Sequence, residues 1–181
     1  RVVDGANTLT QVGDGTLILN GANTWAGGTT VNAGTLQLGQ AAALPNATTL
    51  TVNGGTLDFN GFSRTVTNLS GTGGAIALGA GTLTVDQAAA AVLAGAISGP
   101  GALIKNGAAT LTLTGANSYT GGTTVNAGTL QGNATSLQGS IANGAAVVFD
   151  QAAAGTYAGA MSGTGSLTKL GAGNLTLTGA S

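Results

Sequence analysis

The sequence predicts an all-β protein, a right-handed parallel β-helix (solenoid) with roughly 20 residues in each coil. Three observations lead to this prediction. The chain repeats itself at long intervals, its short segments alternate apolar and polar residues, and glycine and asparagine separate these segments. Together they indicate many short strands that stack on copies of themselves along one axis.

The composition excludes most other architectures. The 181 residues include 34 glycines and only two prolines. Glycine in a helix interior costs about 0.5–1 kcal/mol relative to alanine, so this content disfavours helices. Glycine does not recur at every third position, which excludes collagen. Regularly spaced Leu, Val and Ile are absent from flexible linkers but occur throughout this chain. A rigid, turn-rich β protein remains.

The charge, the apolar runs and the absence of cysteine limit the partners and the kinds of site that this chain can have. Only 5% of the residues are charged, the net charge is −1, and no basic stripe is present, so we expect no nucleic-acid partner. The longest apolar run, Ala88–Ala94, is far shorter than the ~20 residues that span a bilayer, so we expect no membrane insertion within this segment. The absence of cysteine excludes disulfides and thiolate metal sites.

Long internal repeats are the most informative feature. Gly107–Leu130 aligns without a gap with Gly13–Leu36, at an offset of 94 (107 − 13). The segment that begins at Asp150 matches the segment that begins at Asp86, at an offset of 64 (150 − 86). A shorter and weaker copy of 28 residues (86 − 58) begins at Asp58. Such variable lengths are tolerated by a solenoid, which gains or loses turns, and not by a closed globule.

These repeats define the expected domain organisation. We expect a single continuous β-helix segment over residues 1–181, and we expect it to be a fragment of a longer repeat protein. Its units are approximately residues 1–57, 58–85, 86–149 and 150–181.

A smaller motif sets the size of one coil. The pattern TVNxGTL occurs at Thr30–Leu36, Thr51–Leu57 and Thr124–Leu130, and the first two lie 21 residues apart (51 − 30). Period-two alternation predicts two sets of side chains. The inward set is Leu17, Leu19, Leu36, Leu38, Leu57, Phe59, Leu83, Val85, Leu111, Leu113, Leu175 and Leu177, with Leu36, Leu57 and Leu83 in one column. The outward set is Thr16, Thr56, Thr82, Thr84, Thr110, Thr112 and Thr176.

Glycine and asparagine predict the corners between strands. The Asn-x-Gly sequences at 32–34, 53–55 and 126–128 favour positive φ angles. Gln40–Thr49, which contains Pro45, does not fit the repeat and is predicted to be a surface loop. The alanine runs at 88–91 and 152–154 are predicted to lead from loop to strand rather than to form helical turns.

Three stretches carry a family resemblance. Leu9–Leu36, Leu103–Leu130 and Leu167–Ser181 follow the pattern LTKxGxGTLTLTGANTYTGGTTVNAGTL. They resemble the autotransporter-associated β-strand repeat, also called the passenger-associated transport repeat. The resemblance implies the passenger of a type V secreted protein, folded as a β-helix on the cell surface of a Gram-negative bacterium. Gln11 and Ala77 stand where the pattern has the lysine of Lys105 and Lys169, and Trp25 stands where Tyr119 does.

The residue types argue against catalysis. Histidine and cysteine are absent, so Ser/His and Cys/His nucleophile systems are excluded, and no glutamate is present to pair with an aspartate. Asp58, Asp86 and Asp150 recur at the ends of predicted strands, which indicates turn formation rather than an active site. The sequence lacks the calcium-binding nonapeptide and the GxxxxGK[ST] phosphate loop. We therefore predict no catalytic residues, no cofactor and no metal site.

Four further side chains form two pairs that occupy equivalent positions in the repeat. Lys105 and Lys169 are predicted to be solvated strand ends, with a weaker alternative role against edge pairing. Trp25 and Tyr119 occupy equivalent corners and are predicted to be packing residues. The alternative is a row of exposed aromatic side chains that stack on sugars.

Three functions remain open. The first is a structural stalk of a surface adhesin that supports display, adhesion and secretion by sequential folding of its coils. The second is a self-associating module for fibre formation, autoaggregation or biofilm, since few charges oppose contact between copies. The third, and least favoured, is a carbohydrate-active β-helix enzyme. The expected partners are the rest of its own chain and other copies of itself, and a host surface or glycan is a further candidate.

Overall fold

The computed structural model describes residues 4–180, and within this range it contains 24 short strands and no helix. This confirms the all-β prediction. The strands, numbered in chain order, are β1 Asp4–Gly5, β2 Leu9–Gln11, β3 Thr16–Leu19, β4 Thr24–Trp25, β5 Thr29–Val31, β6 Thr35–Leu38, β7 Thr48–Val52, β8 Thr56–Asp58, β9 Arg64–Ser70, β10 Ala75–Ala77, β11 Leu83–Asp86, β12 Ala91–Leu93, β13 Ala96–Gly99, β14 Leu103–Asn106, β15 Thr110–Leu113, β16 Ser118–Tyr119, β17 Thr123–Val125, β18 Thr129–Gly132, β19 Ile141–Asn143, β20 Ala146–Asp150, β21 Gly155–Tyr157, β22 Met161–Ser162, β23 Ser166–Leu170 and β24 Leu175–Leu177.

The strands stack in parallel into long sheets that follow one axis. A nine-stranded sheet has the order β2-β5-β7-β9-β11-β14-β17-β19-β22, a six-stranded sheet β16-β13-β10-β8-β6-β3, and a five-stranded sheet β12-β15-β18-β20-β23. Two further pairs are β1-β4 and β21-β24. Partners lie about one coil apart in sequence, as in the pairing of Leu83 with Leu103 and of Leu103 with Thr123. The predicted parallel β-helix with coils of roughly 20 residues is confirmed.

Columns of apolar side chains fill the interior. Leu36 pairs with Leu57, which pairs with Ile76, which pairs with Ile97, and all four are fully buried. Each apolar side chain covers the one in the preceding coil, so a continuous column forms. Neighbours in the column are only about one coil apart in sequence, so no longer connection is needed to bring them together.

Two expectations about the inward set need correction. Leu83 does not share the column of Leu36 and Leu57, because it lies in the nine-stranded sheet and pairs with Arg64 and Leu103. Leu177 is 47% exposed, since it lies in the last described coil and no described strand covers it. Leu17 and Leu175 are half-buried, and the other members of the inward set are buried. The outward threonines are half-buried or exposed, as predicted.

The Asn-x-Gly corners adopt the predicted backbone conformation. Gly34, Gly55 and Gly128 have φ angles of 57°, 60° and 66°. A Cβ atom added at these positions would lie 2.2, 2.4 and 2.5 Å from a carbonyl oxygen of the preceding coil. Glycine is therefore required both by the left-handed conformation and by the close approach of two coils.

The predicted loop at Gln40–Thr49 is only partly a surface loop. Strand β7 begins at Thr48, and Ala43 and Leu44 are fully buried. Buried amide and guanidinium groups draw this segment inward: Asn23 Nδ2 donates to the carbonyl of Ala43 at 2.8 Å, and Arg64 Nη1 donates to the carbonyl of Leu44 at 2.7 Å. The alanine runs lead from loop into β12 and β21, as predicted.

Strand β9 is the point at which the stacking changes column. Its residues Arg64–Val66 pair with β11 in the next coil, and β7 in the previous coil pairs with Val66 and, after a register shift, with Asn68–Ser70. Gly71, which follows immediately, bridges to Leu93 in β12 of the five-stranded sheet. One column of the nine-stranded sheet therefore continues into the five-stranded sheet above β9, whereas the column of Val66 continues to Val85 in the nine-stranded sheet.

We expect Leu57→Ala to lower the free energy of unfolding by about 2–5 kcal/mol, because it leaves a cavity between Leu36 and Ile76. The matched control is Thr56→Ala, which changes the outward neighbour in the same strand and should cost below about 1 kcal/mol. Urea unfolding followed by circular dichroism measures both. Equal losses in the two variants would contradict the inward column.

Candidate functional site

The three repeated aspartates lie on different sheets. Asp58 ends β8 of the six-stranded sheet, Asp86 ends β11 of the nine-stranded sheet, and Asp150 ends β20 of the five-stranded sheet. Their positions at strand ends agree with the prediction, but the structure does not gather them on one sheet.

Each of these carboxylates is engaged by an amide of a neighbouring coil. Gln37 Nε2 donates to Asp58 Oδ2 at 2.7 Å, Asn106 Nδ2 donates to Asp86 Oδ1 at 2.9 Å, and Gln131 Nε2 donates to Asp150 Oδ2 at 3.3 Å. Asp58 Oδ1 also accepts the backbone N–H of Asn60 at 2.8 Å, the contact expected of a turn former. The aspartates thus link coils.

Two features that would indicate other functions are absent from residues 4–180. No group of three or more acidic, histidine or cysteine side chains in this part of the chain is placed to hold a metal ion. Within the same residues, no helix has the length and apolar character needed to cross a membrane.

The prediction that Lys105 is a solvated strand end is wrong. Lys105 is completely buried, because it pairs with Val85 and Val125 in the inward column of the nine-stranded sheet. Its Nζ donates to the carbonyls of Asn106 at 2.7 Å, Gly107 at 2.8 Å and Ala127 at 3.1 Å. Three carbonyl oxygens match the three N–H donors of an ammonium group. Burial lowers the pKa of Lys105, and the charge of Asp86 partly opposes this effect.

Lys169 and Gln11 stand at the position of Lys105 in other copies of the repeat, and they show which of its corner contacts recur. Lys169 Nζ donates to the carbonyls of Leu170 at 3.1 Å and Gly171 at 2.6 Å, although Lys169 is exposed in the last described coil. Gln11, 9% exposed, donates from Nε2 to the carbonyls of Gly13 at 2.9 Å and Gly15 at 3.2 Å. A donor that closes the corner after the strand is therefore common to all three residues.

Ala77 does not occupy this lysine position. It pairs with Asp58 and Ser98 on the half-buried outer face of β10, whereas Lys105 is buried on the inner face of β14. At this strand the alignment of the 28-residue copy is one residue out of register with the structure, because Ile76 and not Ala77 faces the interior.

Trp25 and Tyr119 are packing residues, and the alternative of exposed sugar-stacking aromatics is wrong. Trp25 is fully buried and Tyr119 is 1% exposed. Trp25 Nε1 donates to Thr29 Oγ1 at 2.9 Å, and the Tyr119 hydroxyl and Thr123 Oγ1 are 2.7 Å apart. The aromatic ring thus fills the interior while its polar atom is satisfied four residues later in the same chain segment.

Asn23 and Asn117 are structural residues that the sequence analysis missed. Asn117 accepts the N–H of Ile97 at Oδ1 at 2.7 Å and donates from Nδ2 to the carbonyl of Ser136 at 2.6 Å. It therefore joins the coil below to the coil above. Asn23 makes the corresponding contact to the carbonyl of Ala43. Their signal in the sequence was the recurrence of Gly-Ala-Asn at 21–23 and 115–117.

Gln87 and Gln151 were also missed. Gln87 Oε1 accepts the N–H of Leu69 at 3.1 Å and its Nε2 donates to the carbonyl of Ala89 at 2.8 Å. Gln151 Oε1 accepts the N–H of Ala134 at 2.9 Å, and its Nε2 donates to the carbonyl of Ala153 at 2.7 Å. The repeated sequence Asp-Gln-Ala-Ala-Ala at 86–90 and 150–154 was the available signal.

The outer surface offers shallow, uncharged clefts. One of about 470 Å³ is lined by Thr51, Asn53, Ser70, Thr72 and Val92 among others. Another of about 490 Å³ lies between residues 134–140 and 156–160. No aspartate, lysine or arginine lines either cleft. These clefts contain no acid–base pair of the kind that glycoside hydrolysis uses.

Comparison with known proteins identifies a repeat family and a relative that match parts of this chain. Residues 9–38, 103–131 and 167–181 match the family model described as the passenger-associated-transport-repeat, which confirms the resemblance. Over 78 residues, the chain is 49% identical to the adhesin BmaC autotransporter of Brucella suis biovar 1 (strain 1330). The match covers 41% of this chain and 2% of that relative's length. No solved structure matches the chain.

We expect neither tyrosine to ionise at its ordinary pKa of about 10. Burial raises the pKa of Tyr119, and burial followed by the charge of Tyr119 raises the pKa of Tyr157 to about 12. The unfolded chain loses these protons first, so stability present below pH ~10 should fall between pH ~10 and ~12. Tyrosinate absorbance against pH measures the shift, and Tyr157→Phe isolates Tyr119. Titration of both groups near pH 10 in the folded chain would contradict their burial.

Lys105→Met should lower the free energy of unfolding by about 1–3 kcal/mol or more, because three buried carbonyls lose their donor. Lys105→Gln should lose less, since Gln11 makes the equivalent corner contacts. Urea denaturation of the two variants measures the difference. A methionine variant as stable as the parent protein would show that the corner does not depend on the ammonium.

Proposed function

We propose that this chain is a non-catalytic β-solenoid stalk within the passenger of a secreted surface adhesin of a Gram-negative bacterium. The observation that carries the proposal is the continuity of the nine-stranded sheet from Leu9 to Ser162, built on copies of an autotransporter passenger repeat. The number of stacked coils sets the length of the rod, and coils can be gained or lost without a change in the rest of the molecule. The named relative is an adhesin autotransporter, and it is the source of the proposed adhesive context.

The buried polar residues support a structural role for the repeat. Lys105, Asn117, Gln87 and the aromatic corners use their polar atoms on backbone groups or threonines of the chain itself. These atoms are consequently committed to holding coils together rather than to a ligand. Residues that recur between units serve the stacking, which is the expectation for a spacer.

Sequential folding follows from the same geometry. Each coil presents a complete set of parallel strand edges to the next one, as β14 does to β17 and β15 does to β18. A segment that emerges at the cell surface can thus add to a folded template one coil at a time. We infer that stacking of this kind supports secretion as well as display.

Deletion of residues 86–149 from the full surface protein should preserve its binding activity while it shortens the stalk by about three coils, or ~15 Å. The deletion joins Val85 to Asp150, so the sequence Asp-Gln-Ala-Ala-Ala still follows β11 and the register is kept. Surface display is measured by protease accessibility on intact cells, and binding by adhesion to the natural target. We expect slower display and intact binding per displayed molecule.

The control deletion removes residues 96–149 and joins Gly95 to Asp150 out of register. It should abolish display, because the strands that follow no longer meet their partners. Loss of binding by displayed protein after the in-register deletion would place the binding activity within this stalk. Failure of the in-register deletion to reach the surface would contradict the modular stalk.

Self-association is the second candidate, and the distribution of charge favours it. Among the described residues, Arg64 and Lys105 are buried, Asp58 and Asp86 are half-buried, and the fully exposed charged side chains are Asp14, Asp150 and Lys169. So few exposed charges give little repulsion between copies. Sedimentation velocity at increasing concentration tests this function: a rise in the sedimentation coefficient supports it, and a constant monomer value contradicts it.

A further inference from the structure

The repeat length and the coil length do not match, and the structure shows the consequence. Three coils separate β11 from β19 in the nine-stranded sheet, yet the copy that begins at Asp86 in β11 begins again at Asp150 in β20 of the five-stranded sheet. The offset of 64 residues (150 − 86) therefore corresponds to three coils plus one side.

Equivalent residues of the two copies are displaced in the same direction around the coil. Lys105 lies in the nine-stranded sheet and Lys169 in the five-stranded sheet. Leu111–Leu113 lie in the five-stranded sheet, whereas Leu175–Leu177 lie in β24, which pairs with β21 on the next side of the coil. The whole unit is displaced by one side.

The two copies at the offset of 94 also differ in position, because β3 lies in the six-stranded sheet and its equivalent β15 lies in the five-stranded sheet. This difference arises at β9. Val31 pairs with Val52, Gly71 lies against the backbone of Val52 and bridges to Leu93, and Leu93 pairs with Leu113. A line parallel to the axis thus runs from the TVN strand of the first copy to the TLTL strand of the second copy. The 28-residue unit between the two copies contains this change of column.

Gln87 repairs the gap that the change of column creates. Leu69 lies in the half of β9 that pairs with β7, and its N–H toward the next coil is accepted by the buried carboxamide of Gln87 instead of by a strand. Gln151 does the same for the N–H of Ala134, where the coil below forms a loop rather than a strand. Without these amides a buried N–H group would be unsatisfied.

We propose that the repeat is a screw-like display unit: each full unit ends one side further around the stalk, and the glutamine of its Asp-Gln pair accepts a buried backbone N–H that the neighbouring coil leaves without a strand partner. Equivalent corners of successive units therefore face different sides, and three full units return to the starting side. Such a stalk presents its repeated surface features around its whole circumference. A partner that binds one unit cannot reach the equivalent feature of the next unit along a single face.

The test uses pairs of spin labels, and the absence of native cysteine makes the labelling specific. Thr112 and Thr168 lie in one column of the five-stranded sheet, three strands apart, so their Cα atoms are about 14 Å apart. Thr112 and Thr176 are separated by one repeat offset (176 − 112) and lie on different sides. Double-cysteine variants of the two pairs, labelled with a nitroxide, are measured by electron–electron dipolar spectroscopy.

We expect the distance for Thr112→Cys with Thr176→Cys to be longer than the distance for Thr112→Cys with Thr168→Cys. The reverse order, or equal distances, would mean that the unit is a whole number of coils and would overturn the proposal. All three positions are outward threonines on exposed or half-buried sites, so the labels should not disturb the interior.

The role of the glutamine is tested separately by amide hydrogen exchange. Gln87→Leu should raise the exchange rate of the Leu69 amide at least tenfold, and Gln151→Leu should do the same at Ala134. Gln131→Leu is the matched control, because its side chain points outward and donates to the carboxylate of Asp150 rather than accepting a buried backbone N–H. Unchanged exchange at both amides in folded variants would show that the carboxamide does not close the break.

Discussion

The constraint on which the structure depends is the satisfaction of backbone hydrogen bonds between coils rather than within them. Strands of two to seven residues cannot form a stable sheet alone, so each must have a partner above and below. Thr56 illustrates this, since it pairs with Thr35 on one side and Ala75 on the other. Glycine corners, apolar columns and buried amides all follow from the need to bring successive coils within hydrogen-bonding distance of each other.

Buried polar side chains complete the ladder wherever the backbone alone does not. Asn117 connects the coils on both of its sides, Lys105 closes a corner with three contacts, and Gln87 replaces a missing strand. A buried polar group that lacks a partner costs about 1–3 kcal/mol, so each of these side chains is fixed in position by the groups it satisfies. One exception is the Nε atom of Arg64, which is buried and has no partner within the described residues.

The sequence predicted the fold because stacked strands need similar residues at the same place in successive coils, and this requirement is visible as a repeat. Period-two alternation and the Asn-x-Gly corners gave the coil, and the apolar columns followed. Lys105 and Leu44 were misplaced because residue type alone indicates exposure for a lysine and for a proline-containing loop, whereas the coils above and below decide it. Asn117 and Gln87 were not recognised, since their recurring motifs mark the positions but their partners lie one coil away. The rotation of the units required knowledge of which strands pair.

Disulfide cross-linking between two neighbouring strands tests the parallel stacking most directly. In the observed register, Thr35 lies beside Thr56 and Gln37 lies beside Asp58, so cysteine pairs at those positions should oxidise readily. In an antiparallel hairpin of the same two strands, the pairs that meet would be Thr35 with Asp58 and Gln37 with Thr56. Cross-linking of the first two pairs and not of the second two is the predicted result. Preferential cross-linking of Thr35→Cys with Asp58→Cys would contradict the account.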